Sequence, residues 1–234
     1  MRQTIEQDTW KHLAGDAAAK LVEEGMVIGL GTGSTVTHLL YALAQRIQDG
    51  LHIVGAVPTS QATHDLAAKL GIPLTDLDTH PALDLCLDGA DEIDGQLHLI
   101  KGAGGALLRE KVVASVSRRF VVIVDATKQV SRLGTHAPVP VETIPFALTP
   151  VRKRLEALGA IVQVRHQGDK LFLTDNQNAL LDCTFPNGIT DPAGLDAQMH
   201  TIAGALETGL FLNMAQEALI GGPEGIKVLS LSHN

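Results

Sequence analysis

Little in this 234-residue chain can stack, span or chelate. Aromatic residues make up only 3% of it, too few for the base-stacking platforms of single-strand nucleic-acid binders. No block of lysine and arginine stands out against a formal net charge of -8, so a nucleic-acid partner has no electrostatic support. An anionic metabolite is not excluded, because local lysines and helix N-termini hold anions against a negative total. The ten histidines are scattered without HxH, HxxxH or His/Cys clustering, and no metal site is expected. The two cysteines, Cys86 and Cys183, each lie in an apolar strand-like run and read as buried free thiols in a reducing compartment. No apolar run is long enough to span a bilayer, and the N-terminus MRQTIEQDTW lacks the apolar core of a secretion signal. A soluble, cytoplasmic protein with no membrane partner is expected.

What is present is a 45% hydrophobic chain, enough for one large or two modest domains with a real core. Apolar spacing predicts a helix over Gln7 to Glu24 and a strand over Met26 to Leu30. A helix over Val36 to Ile47, a strand over Ile53 to Val57 and a helix over Ala62 to Leu70 follow, with a short strand near Leu74 to Leu77. The alternation continues with a strand at Leu83 to Leu87, a helix from Ala106 to Arg119 and a strand at Phe120 to Val124. Nearly unbroken apolar strands alternating with helices imply an α/β fold, a mainly parallel Rossmann-like sheet covered on both faces. After about Gly134 the order becomes β-α-β-β-α-β, that of a smaller ferredoxin-like α+β domain. There Asp191-Pro192 opens a helix as N-cap and first residue. The expected division is 1–133 with 206–234 for the α/β domain and 134–205 for the α+β domain.

Three segments carry chemistry. GLGTGST, Gly29 to Thr35, follows a strand and opens a helix. Its glycines admit a ligand to the backbone, and Ser34 and Thr35 add hydroxyls at a helix N-terminus. No lysine follows the last glycine, so it is not a Walker loop, and the next strand ends without the acid of a dinucleotide site. DGADEIDG places Asp88, Asp91 and Asp94 three apart, which is not calcium-loop spacing. Asp94 fits a solvated turn, whereas Asp88 ends an apolar strand, where α/β sheets bind ligands. Lys101 with Gly102, Ala103, Gly104 and Gly105 reads as an anion nest with bare N–H groups. Glu110 lies about a turn into the next helix. On a helical wheel Leu108, Val112, Val113 and Val116 mark the buried stripe, which leaves Glu110 on its flank and Arg109 nearer its centre. Periodicity alone makes Glu110 a surface acid.

These blocks in this order, with VDATKQV and LFLNMAQEALIGGPEGIKVL after them, resemble ribose-5-phosphate isomerase of the A type over essentially the full length. The resemblance implies interconversion of ribose 5-phosphate and ribulose 5-phosphate through a cis-enediolate, with no cofactor. It implies Glu110 as the base moving a proton between C2 and C1, Asp88 in ring opening, and Asp91 and Lys101 completing the polar site. It implies sugar-phosphate binding by Thr32, Gly33, Ser34, Thr35, Lys128 and Lys11, with Gly89, Ala90, Gly102, Ala103 and Gly104 lining the substrate. A homodimer or homotetramer is also implied, assembled through the α+β domain. Two departures are Ala103, where relatives commonly carry glycine, and the VPTSQAT segment, one of several variants. Amino-sugar phosphate deaminases, coenzyme A transferases and sugar-phosphate sensors share the architecture. A sensor would need a helix-turn-helix and a basic patch, and a deaminase an acid–His arrangement; neither is found in the sequence.

Overall fold

The computed structural model describes residues 2–231, and they fall into two compact units. The first comprises 1–90, 109–128 and 213–234; the second comprises 91–108 and 129–212. The segment 91–108, which the sequence reading keeps with the α/β domain, thus packs in the second unit.

The first unit is a six-stranded sheet in the order Gly225–Ser230, Glu217–Gly222, Ser117–Asp125, Leu83–Asp88, Val27–Leu30, Gly55–Pro58. All its neighbours are parallel except the final hairpin, where Glu217–Gly222 meets Gly225–Ser230 antiparallel. One face buries Ile28, Leu30, Leu85, Leu87, Val121 and Ile123 with Leu39, Leu40 and Leu43 of the Ser34–Gln48 helix. Ala14 and Ala18 of the Arg2–Ala19 helix join that core. Small residues let the two helices close up, so the sheet is covered without aromatics.

Three local readings change. The helix expected to reach Arg119 ends at Ser115, and Ser117–Asp125 is one long strand. Pairing of Ser117 with Leu83 and of Arg119 with Leu85 outweighs the helical pattern, since ladder bonds are non-local and periodicity cannot see them. The strand expected near Leu74 is a single bridge to Ala56. The first helix covers Arg2–Ala19 rather than running to Glu24.

The second unit holds a four-stranded antiparallel sheet in the order Ala205–Thr208, Val139–Thr143, Ala179–Thr184, Ile161–Val164. With the Leu148–Ala157 and Pro192–His200 helices it follows the β-α-β-β-α-β order. Asp191 caps the second helix by accepting from Gly194 N at 2.9 Å. Lys170–Leu171 forms a short antiparallel hairpin with His166–Gln167. A three-stranded sheet of Glu92–Ile93, Leu99–Ile100 and Leu210–Phe211 carries the lysine loop.

Candidate active site

In the first unit the predicted residues gather at the carboxyl edge of the parallel sheet, where strands leave their ladder and loops open. The Val27–Leu30 strand hands over to Gly31, whose N–H donates to Leu87 O at 2.9 Å. A Cβ on Gly31 would stand 1.9 Å from the Asp88 carboxylate, so only glycine lets the turn lie against that acid. Asp88 is fully buried. Its Oδ1 accepts from Thr32 N at 3.0 Å and Gly89 N at 2.7 Å, which ties the two strand ends together and leaves Gly89 and Ala90 half-buried beside it.

The turn then starts a fifteen-residue helix at Ser34. Gly33 is its N-cap at φ 119, with no side-chain capping bond, so the first-turn N–H groups meet no hydroxyl or carboxylate cap. Gly33 and Ser34 are exposed and Thr35 is buried. Lys128 closes the short 3-10 turn after the Ser117–Asp125 strand and is half-buried. Lys11 is half-buried on the first helix, next to Trp10, whose carbonyl oxygen would lie 2.0 Å from a Cβ on Gly221.

Glu110 corrects the helical wheel. The buried positions of the Leu107–Ser115 helix are Leu107, Glu110, Val113 and Ala114, whereas Val112 is 43% exposed. Glu110 therefore lies within the buried stripe, at 4% exposure, and Arg109 is only half-buried. The wheel took the β-branched residues as the inward face. The structure turns that face toward the acid, which in the first turn also has a favourable helix dipole.

In the second unit Asp91 and the lysine loop meet. Asp91 N donates to Ile100 O at 2.8 Å, and Asp91 Oδ2 accepts from Ala103 N at 2.9 Å. The Ala103 N–H is thus not bare, as the nest reading expected, but already holds a carboxylate. Ala103 is not among the residues with positive φ, so alanine stands there without left-handed strain. Lys101 is 2% exposed, its ammonium 5.4 Å from the centroid of the Phe211 ring at cation–π range. Gly102 is buried, while Ala103 and Gly104 are exposed. Asp94 accepts from Gln96 N and His98 N at 2.8 and 2.9 Å, spent on its own turn.

Six charged side chains are buried among the described residues: Asp88, Glu92, Lys101, Glu110, Asp125 and Glu142. Asp88 holds the Thr32 and Gly89 N–H groups, and three others hold neighbours elsewhere. Glu92 accepts from the N–H groups of Gly134, His136 and Ala137, Asp125 from Thr127, and Glu142 from Thr174, Asn176 and Asn178. Asp88, Lys101 and Glu110 all fall between positions 88 and 110. Burying an ion costs several kcal/mol unless partners repay it.

Comparison with known proteins identifies the family. The family model for ribose 5-phosphate isomerase A (phosphoriboisomerase A) matches residues 55–225. The chain belongs to that family. A ribose-5-phosphate isomerase A of Synechococcus sp. (strain JA-3-3Ab) is 51% identical over 229 residues, 96% of this chain and 98% of its own. The ribose 5-phosphate isomerase of Plasmodium falciparum is similar in structure with a TM-score of 0.93 at 36% identity, covering 97% of this chain and 100% of that one. A D-ribose-5-phosphate isomerase in complex with phospho-erythronic acid gives 0.92 at 38% identity, over 95% and 98% of the two chains.

Against this family background, sequence reasoning missed a hydroxyl cluster. Thr32 Oγ1 lies 2.8 Å from both Thr59 Oγ1 and Ser60 Oγ, and Thr63 Oγ1 donates to Gly31 O at 2.7 Å. Ser60 also caps the Gln61–Lys69 helix by accepting from Thr63 N. The Thr-Ser-x-x-Thr spacing after a strand was a visible capping signal; its reach back to the glycine turn was not. Among the described residues no cluster of three or more His, Cys, Asp or Glu is arranged to hold a metal, and no helix is long and apolar enough to cross a membrane.

Proposed function

We infer that this chain interconverts D-ribose 5-phosphate and D-ribulose 5-phosphate, an aldose–ketose isomerisation of the pentose phosphate pathway, as the isomerases it resembles are named to do. The observation that carries the assignment of roles is the burial of Asp88, Lys101 and Glu110 at 0%, 2% and 4% exposure. Asp88 opens the furanose ring by exchanging hydroxyl protons. Glu110 takes the proton from C2 of the open-chain aldehyde. The bond electrons form the C1–C2 double bond, and negative charge gathers on the C1 oxygen. Asp88 carries the O2 hydroxyl proton to the C1 oxygen, and Glu110 returns its proton to C1 as C2 becomes the carbonyl. A proton beside a carbonyl is too weakly acidic for an unaided carboxylate, so the oxyanion must meet preorganised donors, each worth about 3 kcal/mol. Lys101 and the Gly104 N–H supply them, with Asp91 completing the polar set.

The phosphate falls to the uncapped helix start with Thr32, Gly33, Ser34 and Thr35, where backbone N–H groups and dipole favour an anion. Lys128 and Lys11 add charge. Gly89, Ala90, Gly102, Ala103 and Gly104 provide close-fitting backbone. This reading includes a cytoplasmic homodimer or homotetramer assembled through 134–205, which sedimentation of the purified chain measures. Isomerisation itself is tested by following ribulose 5-phosphate formation with EDTA present and phospho-erythronic acid as competitor. EDTA-resistant turnover inhibited by the competitor is expected. A folded chain without turnover sinks the reading.

A further inference from the structure

The peptide planes after Lys101 are held by a side chain that no motif marks. Arg165 follows the Ile161–Val164 strand. Its Nε donates to Asp182 Oδ2 at 2.8 Å, and one terminal nitrogen donates to Asp182 Oδ1. The other terminal nitrogen donates to two backbone oxygens, Gly102 O at 3.1 Å and Ala103 O at 3.0 Å. Asp182 lies opposite Gln163 in the neighbouring strand, so strand register presents the acid to the guanidinium. The Phe172 ring centroid is 5.8 Å from the guanidinium carbon, and the same ring would lie 2.6 Å from a Cβ on Gly105. With side-chain exposures of 16% for Arg165 and 21% for Asp182, the pair is shielded from water.

An ion pair that merely tied two strands would stop at Asp182. Here the third nitrogen reaches a loop some sixty positions earlier in the chain. In a trans peptide the C=O and N–H point to opposite edges. Carbonyls of Gly102 and Ala103 turned to Arg165 therefore turn the Ala103 and Gly104 N–H groups away from it. The first of these holds Asp91 Oδ2; the second belongs to an exposed residue. A planar fork bridges a carboxylate and two carbonyls at fixed angles, which an ammonium cannot do.

We infer that Arg165, held by Asp182, is a positioning residue for the isomerisation, fixing the Gly102–Gly104 peptide planes so that Asp91 and the Gly104 N–H present to the sugar. This rests on the isomerase reading above. The test compares Arg165→Gln, Arg165→Lys and Asp182→Asn with wild type by kcat and KM for ribose 5-phosphate. It adds hydrogen exchange at the Ala103 amide. In Arg165→Gln we expect kcat to fall about 10- to 100-fold, the loss typical of a misplaced reacting group. KM should change less than about threefold, the split expected when mainly transition-state interactions are lost. Arg165→Lys should fall between, and exchange at Ala103 should quicken in all three. Wild-type kcat per folded molecule in every variant overturns the inference, whatever happens to the melting temperature. If Arg165→Gln does not fold, Asp182→Asn, which keeps one acceptor for the guanidinium, decides by the same criteria. If wild type does not isomerise, the isomerase reading fails instead, and unchanged Ala103 exchange alone then overturns the clamp.

Discussion

Two glycine-rich turns each place one backbone N–H on an aspartate and differ in what else holds them. Beyond the Thr32 N–H on Asp88, the Gly29 to Thr35 turn is fastened by hydroxyls, those of Thr32, Thr59, Ser60 and Thr63. The Lys101 to Gly105 loop is fastened by charges, with Asp91 on one N–H and the Arg165–Asp182 pair on two carbonyls. A turn proposed to take a phosphate gains from hydroxyls, which order it without adding charge that would compete with the dianion. A loop proposed to hold an oxyanion that exists only in passing needs stiffness, and charge-assisted bonds are shorter and stronger. Its two cations and two acids also balance, so the field there is local and directional.

That contrast can be broken from several sides. The largest effect should come from Glu110, which belongs to neither turn. Glu110→Gln should cost about a thousandfold in kcat, within the range for lost general-base catalysis, while a direct binding titration finds ribose 5-phosphate still bound. Gly31→Ala should strike the hydroxyl-held turn hardest, because the added Cβ meets Asp88 at 1.9 Å. Overpacking of this kind typically costs about 1–3 kcal/mol, read from the thermal unfolding midpoint. Lys128→Ala should raise KM about tenfold with kcat nearly kept, since phosphate contacts give uniform binding. Loss in kcat comparable to the Arg165 variants would erase the proposed difference between the two turns.

Ser60→Ala should be milder still. It removes the cap of the Gln61–Lys69 helix and one hydroxyl of the cluster, a loss of about 1 kcal/mol seen in chemical denaturation. The smallest effect concerns Cys183, beside Asp182 in the strand that anchors the clamp. Burial first, and then the Asp182 charge, push its thiol up to about 12. A raised folded value favours the protonated thiol. Its contribution to stability is thus full below about pH 9 and is lost as pH rises toward 12. Native protein at pH 8 should resist thiol alkylation at Cys183, and denatured protein should react.

The parallel sheet, the second unit and its capped helix were legible because apolar runs and turn residues are local signals. The place of Asp88 at the carboxyl end of an apolar strand was legible too; its role belongs to the proposed function. Glu110 was misread by periodicity, because a wheel ranks hydrophobicity and cannot know that a buried stripe contains a carboxylate. Resemblance to relatives supplied what the wheel could not. Arg165 and Asp182 gave no signal at all: in sequence they are one charge at a strand end and one acid inside a strand.

What the sequence determined alone is the set of groups available: two glycine turns, a strand-end acid, a loop lysine and a helix-borne glutamate. What tertiary structure decided is which charges lose their water and which are spent on neighbours. Asp94 turns to its own backbone and Glu92 to the 134–137 loop, while Asp91 holds Ala103 with one oxygen. The reason is physical. Burial and hydrogen-bond partnership depend on strand register and on contacts tens of residues apart, and neither has a local imprint in the chain.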